Sequence, residues 1–197
     1  MKIVIFGLAI SSSWGNGHAT VWRSLSRQLI ARGHTVVFFE RDVPYYASHR
    51  DLYCLDGGTL RLYNSWSNIV DVAERESRDA DVGIVTSYCP DAIAASELIW
   101  CSPALRVFYD LDSPVTVASL RAGKPVPYIH PNGLAEFDVV LSFTGGAALE
   151  LSDSELNHIA AAARERVLDE HTGAQRAQEF EQIIENIHAT ELAGAIT

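Results

Sequence analysis

Lys2-Ile3-Val4-Ile5-Phe6-Gly7, then Ser11-Ser12-Ser13-Trp14-Gly15-Asn16-Gly17, then the run from His18 to Arg32, form the stretch that decides the fold. The first segment is short, β-branched and aromatic and stops at a glycine, the pattern of a strand buried on both faces. The second is polar and built of small residues, which marks a loop. From His18 the apolar residues fall at Val21, Trp22, Leu25 and Leu29, one face of a helix, and Gly33 stands where a left-handed residue closes one. His34-Thr35-Val36-Val37-Phe38-Phe39-Glu40 then reads as a second strand. Strand, glycine-bearing loop, helix, glycine, strand is the opening βαβ unit of a doubly wound α/β domain. In such folds ligands gather at the carboxyl ends of the strands.

The same alternation continues outward from that unit. Strands are expected at Thr59–Tyr63, Asp81–Thr86, Ala104–Tyr109 and Phe137–Ser142, with helices over Asn68–Ser77, Asp91–Trp100 and Val115–Ala122. Ser65 or Ser67 is expected to cap the first of these helices, and Ser113, with Pro114 at the first helical position, the last. The expected architecture is a single Rossmann-like three-layer α/β domain over residues 1–148, its sheet mostly parallel and covered on both faces. Beyond Leu149 the character changes. Ser152-Asp153-Ser154-Glu155 and Thr172-Gly173-Ala174-Gln175 have the form of capping boxes and open two amphipathic helices within residues 149–190. The first places Leu156, Ile159, Ala160, Ala163 and Val167 on one face. The second places Ala177, Phe180, Ile184 and Ile187 on one face and Glu179, Glu181 and Glu185 outward. Both helices are expected to pack on the flank of the sheet, with residues 191–197 as a tail.

Composition narrows the function classes. At 197 residues the chain can bury a core without disulfides or metal. A formal net charge of −10 argues against nucleic acid or an anionic membrane as partner, since both reward a basic face. Cys54, Cys89 and Cys101 are an odd count with no Cys-x-x-Cys spacing, which fits reduced thiols in a cytoplasmic protein. The N-terminus enters a strand directly, without the layout of a signal peptide.

The residues just past the strand ends share one rim in this fold: Ser12 to His18, Glu40 to Asp42, Thr86-Ser87, Asp110 and Asp112, and Thr144-Gly145-Gly146. Such a rim suits hydroxyl-rich or phosphorylated ligands. Gly15-Asn16-Gly17 either presents backbone N–H groups to an anion at the mouth of the first helix or simply permits a tight turn. The Gly-x-Gly-x-x-Gly spacing is broken, because residue 20 is Thr, which counts against NAD or FAD. His18 is the residue of most interest: a helix N-terminus favours the neutral imidazole that a general base needs. Asp110 or Asp112 is placed to orient it; the competing readings are a loop-capping histidine and a turn aspartate. No His or Glu at metal spacing accompanies the two aspartates, so no metal is expected. Trp14, Tyr45, Tyr46 and Trp66 either form a sugar-stacking surface or belong to the core.

Ser13-Trp14-Gly15-Asn16-Gly17-His18-Ala19-Thr20, with Arg32-Gly33-His34 after the helix, resembles the start of GT-B glycosyltransferases. Phe39 to Pro44, Tyr109 to Thr116 and Leu141 to Gly146 extend the likeness, which is closest to the bacterial CgeB-like, spore-maturation-type members. Arg164 to Thr172 with Arg176-Ala177 resembles the terminal helices of the same family. The resemblance implies transfer of a sugar from a nucleotide donor to an acceptor hydroxyl. In that family the first Rossmann-like domain receives the acceptor, the second binds the donor, and the terminal helices cross back. Here the terminal helices follow Gly146 within a few residues, leaving no room for the donor domain. The chain is therefore expected to be an acceptor-side half, inactive alone and without a cofactor of its own. Its expected partners are a small-molecule or glycan acceptor and either a second copy or a separate donor-domain polypeptide. The implied catalytic set is His18, Asp110 and Asp112. The implied binding set is Trp14, Gly15, Asn16, Gly17, Glu40, Thr86, Ser87, Thr144, Gly145 and Gly146. Two rival readings are a self-associating binding module and a small nucleotide-dependent enzyme with its phosphate site at Ser11 to Gly17.

Overall fold

The structure, a computed structural model, describes residues 1–143 and 172–194. Thr144, Gly145, Gly146 and the helix expected from Ser152 lie outside the described residues. Along the chain run β1 (Lys2–Gly7), α1 (Gly17–Ala31), β2 (Thr35–Arg41), α2 (Pro44–Ala47), β3 (Thr59–Tyr63) and α3 (Val70–Arg78). They are followed by β4 (Val82–Thr86), α4 (Ala92–Trp100), β5 (Leu105–Asp110), α5 (Ser113–Arg121), β6 (Val139–Ser142) and α6 (Gly173–Gly194). The strands form one six-stranded sheet in the order β3-β2-β1-β4-β5-β6, and every neighbouring pair is parallel. The order reverses between β1 and β4, so the crevice of a doubly wound sheet opens above those two strands.

The two-residue period of a strand sorts its side chains into two cores. Val4 and Phe6 of β1, Val37 and Phe39 of β2, Val85 and Phe108 point to one face, where Ala73 of α3 and Ala92, Ala95 and Ile99 of α4 meet them. Phe6 and Phe39 stack there with ring centres 4.8 Å apart. Ile3, Ile5, Phe38, Ile84 and Val107 point to the other face, against Trp22, Leu25 and Leu29 of α1 and Ala177, Phe180 and Ile184 of α6. Strands buried on both faces have no polar alternation, hence the continuous apolar runs. Gly83 lets α4 lie close to the sheet: a Cβ there would sit 2.3 Å from Ile99 Cδ1.

Helix ends follow the sequence signals with two instructive shifts. Gly33 takes φ 88°, its N–H reaches Ile30 O at 2.9 Å and the His34 N–H reaches Leu29 O at 3.1 Å, a Schellman closure of α1. At the start of α6 the Gln175 amide oxygen accepts from the Thr172 N–H at 2.7 Å, and the Gln175 N–H reaches Thr172 Oγ1 at 3.3 Å. That is the capping box expected from Thr172. The cap of α5 departs from expectation: Asp112, not Ser113, occupies the cap position, and Pro114 lies in the first turn. The Ser113 hydroxyl is 2.6 Å from Ser142 Oγ and ties α5 to β6 instead. Nor does Ser65 lend a side chain to a cap: a 3-10 turn at Trp66–Asn68 leads into α3.

The last helix seats its apolar stripe on the sheet domain as its spacing predicts, with Ala177, Phe180 and Ile184 buried. Replacing a buried phenylalanine such as Phe180 by alanine costs about 3–5 kcal/mol. Glu181 does not point outward as expected. It turns onto the end of α1, where Arg32 and His34 both bond its carboxylate. That contact holds the Glu181 carboxyl at about 2, below its ordinary value, chiefly through the hydrogen bond from Arg32.

Candidate functional site

The loop between β1 and α1 is organised around a carboxylate from β2. Glu40 is fully buried; one of its oxygens accepts from the N–H groups of Ile10 and Ser11 at 2.7 and 2.8 Å, the other from the Ser11 hydroxyl at 2.6 Å. Arg50 reaches Ser11 Oγ at 3.3 Å and also pairs with Asp42. Further along the loop the Ser13 N–H reaches Asp51 at 3.1 Å, and the Ser13 hydroxyl reaches the other oxygen of that carboxylate at 2.5 Å. Arg23 of α1 grips Asp51 through both terminal guanidinium nitrogens and donates through Nε to Ile10 O at 2.8 Å. These bonds hold the Asp51 carboxyl well below the usual carboxylate range. The Ile10, Ser11 and Ser13 amides of this loop are thus satisfied by carboxylates of the chain itself. Glu40, placed by sequence among the ligand contacts, is a strut of the loop.

At the mouth of α1, Asn16 caps the helix, its Oδ1 accepting from the His18 N–H at 3.0 Å. Asn16 thus serves as a cap, the preferred use of asparagine at that position. Gly15 has φ 56°, and a Cβ on it would lie 3.0 Å from the Tyr45 hydroxyl oxygen, so glycine suits this position on both counts. His18 is 9 % exposed, and its Nε2 lies 3.3 Å from Asp112 Oδ2. The choice left open between two aspartates falls to Asp112. Asp110 instead accepts the Asp112 N–H at 3.0 Å and fixes the turn that carries the orienting carboxylate. An ionised carboxylate only accepts, so in this contact Nε2 is the donor and Asp112 the acceptor. The His18 Nδ1 is shut off from solvent and has no hydrogen-bond partner.

The end of β4 supplies the third side. Thr86 and Ser87 are wholly buried. The Ser87 N–H reaches Tyr109 O at 3.1 Å, and the Ser87 hydroxyl oxygen accepts the Leu111 N–H at 3.0 Å. Ser87 therefore locks the β4 and β5 turns together, while the Thr86 hydroxyl donates to Ser87 O at 3.1 Å. Tyr88, which the sequence did not single out, follows them with φ 60°, the only non-glycine residue at positive φ among those described. Its ring meets His18 edge-on, with centres 5.6 Å apart and planes at 70°, and meets Tyr128 at 4.7 Å. Tyr128 is buried, which pushes its phenol up to about 12, and its hydroxyl lies 2.8 Å from Thr116 Oγ1 of α5. No local signal announces Tyr88; its backbone is set by a turn whose anchors lie in other strands.

The aromatic residues divide. Trp66 packs on Phe6 and Tyr63 and belongs to the core. Trp14 is 56 % exposed and stacks parallel on His49 with centres 4.5 Å apart, beside the exposed Tyr45. Tyr46 packs edge-on against Tyr45 at 5.0 Å. Among the described residues no group of three or more His, Cys, Asp or Glu is placed to hold a metal ion, and no helix is long and apolar enough to cross a membrane. The crevice above β1 and β4 thus holds a buried histidine, a carboxylate that orients it and an aromatic ring against it. The open side of the pair is Asp112, half exposed, and there the pair can take a proton from a hydroxyl. No family model matches the sequence, and no curated protein matches it.

Proposed function

We propose that this chain is the acceptor-side Rossmann-like unit of a GT-B-type, CgeB-like glycosyltransferase, in which His18 and Asp112 together deprotonate the acceptor hydroxyl. The observation that carries the reading is the His18–Asp112 pair, 3.3 Å apart in the crevice where strand order reverses. As the hydroxyl attacks the anomeric carbon of a nucleotide sugar, its proton passes to the His18–Asp112 pair, whose open side is the half-exposed Asp112 carboxylate, and the bond from the sugar to the nucleoside diphosphate breaks. Glu40 already holds the Ile10 and Ser11 amides, which takes those two donors away from a diphosphate on the first turn. We therefore assign the donor to a second unit, from a second domain or a separate polypeptide, and expect the isolated chain to be inactive. The exposed Val115, Leu120, Val140 and Phe143 favour a second reading, a module that self-associates.

Calorimetric titration with UDP, GDP, dTDP, CDP and NAD tests the assignment. The expected result is no nucleotide binding tighter than about 1 mM, which corresponds to about 4 kcal/mol. One nucleotide binding well, and more weakly to His18→Ala, would overturn it and give the chain a complete donor site. Sedimentation of the same sample decides whether a dimer forms.

A further inference from the structure

The left-handed backbone at Tyr88 is the observation that the loop and the His18–Asp112 pair leave unexplained. A bulky side chain at φ 60° is a backbone outlier that persists only where the surroundings over-determine it. Here they do. Ser87 before it is bonded to Tyr109 O and to the Leu111 N–H, and Cys89 after it returns its N–H to Thr86 O at 3.3 Å. The turn so fixed places the Tyr88 ring between His18 of α1 and Tyr128, and Tyr128 is braced by Thr116 of α5. The contacts form a closed circuit: α1 through His18, the β4 turn through Tyr88, Tyr128, α5 through Thr116, and back to His18 through Asp112 at the start of α5.

We propose that Tyr88 is a positioning residue for His18, its edge-on ring fixing the plane of the imidazole so that Nε2 is held toward Asp112. An imidazole bonded only at Nε2 still turns about that bond. A ring at 70° to its plane removes the freedom, because the edge-to-face arrangement is itself the favoured one. Tyr88 touches His18, not the substrate, and this role deepens the assignment of the His18–Asp112 pair as the base.

The test reads His18 directly and needs no sugar donor, so its failure and the failure of the transferase reading are separate results. Nitrogen-15 side-chain shifts of the native chain, with His18 assigned by comparison with His18→Gln, are expected to show a single tautomer protonated at Nε2. Carbethoxylation of His18 by diethyl pyrocarbonate, followed by peptide mass spectrometry, is expected to be slow in the native chain and in Tyr88→Phe. Tyr88→Gly and Tyr88→Asn both accept a left-handed backbone and remove the ring. They are expected to raise the rate about three- to tenfold, the factor that one aromatic pair is worth, and to mix the tautomers. A native His18 protonated at Nδ1 overturns the proposal, as do Gly and Asn variants that react at the native rate. If one variant fails to fold, the rate measured in the other decides.

Discussion

Removing the Glu40 carboxylate is expected to unfasten the β1–α1 loop and with it the setting of His18. In Glu40→Ala, the Ile10 and Ser11 amides and the Ser11 hydroxyl lose acceptors at 2.7, 2.8 and 2.6 Å in a position without solvent. A buried donor left unpaired costs about 1–3 kcal/mol. The hydroxyl can turn to another acceptor, and the buried charge is relieved, so the two amides dominate and the loss is expected near 3–5 kcal/mol. Against a total of about 5–15 kcal/mol that is a large share. At roughly 2–4 °C per kcal/mol for a chain of this size, the melting midpoint should fall by about 6–20 °C. Glu40→Gln keeps one acceptor oxygen and should lie between alanine and the native chain. Urea unfolding followed by far-UV circular dichroism measures both variants. A loss below about 1 kcal/mol in the alanine variant, with an unchanged urea slope, would show that the carboxylate does not hold the loop.

Two further outcomes follow from side chains elsewhere. Glu181 is held at about 2, below its ordinary 4.5, so the support it gives the docking of α6 is complete above 4.5 and fades as pH falls toward 2. Hydrogen exchange in Ala177 to Ile187 should therefore accelerate through that window in the native chain more steeply than in Glu181→Gln; parallel profiles would remove the carboxylate from the account. Cys89 is buried, and burial pushes its thiol up to about 12, whereas Cys54 and Cys101 are exposed. Iodoacetamide at neutral pH should label those two in the folded chain and Cys89 only after unfolding, and early labelling of Cys89 would show that the α4 side of the core opens readily.

What could be read from the sequence was what depends on neighbours along the chain. The apolar run of β1, the Schellman glycine at 33 and the Thr172 capping box each need only a few adjacent residues, and each stands as expected. The meeting of His18 with Asp112, 94 residues apart, was accessible because parallel strands bring their carboxyl ends to one rim. The choice between Asp110 and Asp112 was not, because it turns on a single hydrogen bond within the turn. Ser113 looked like a cap because Ser-Pro commonly opens a helix, but Ser142 on β6 claims its hydroxyl. Glu40 looked like a ligand contact because it stands at a strand end, whereas its partners lie 29 and 30 residues earlier. Glu181 looked outward on a helical wheel, which contains no trace of Arg32 and His34 at the far end of the chain. For Ser113, Glu40 and Glu181 a distant partner overrides the local preference.

The seating of α6 on α1 has a consequence for how the chain is made. The face that buries Trp22, Leu25 and Leu29 receives part of its cover from Ala177, Phe180 and Ile184, which are synthesised last among the described core residues. At roughly 5–20 residues per second, translation takes about 7–30 s to get from the first helix to the last. During that interval the newborn βαβ unit exposes apolar surface that its own strands cannot cover. A nascent chain halted before Ala177 should therefore be the form that chaperones hold.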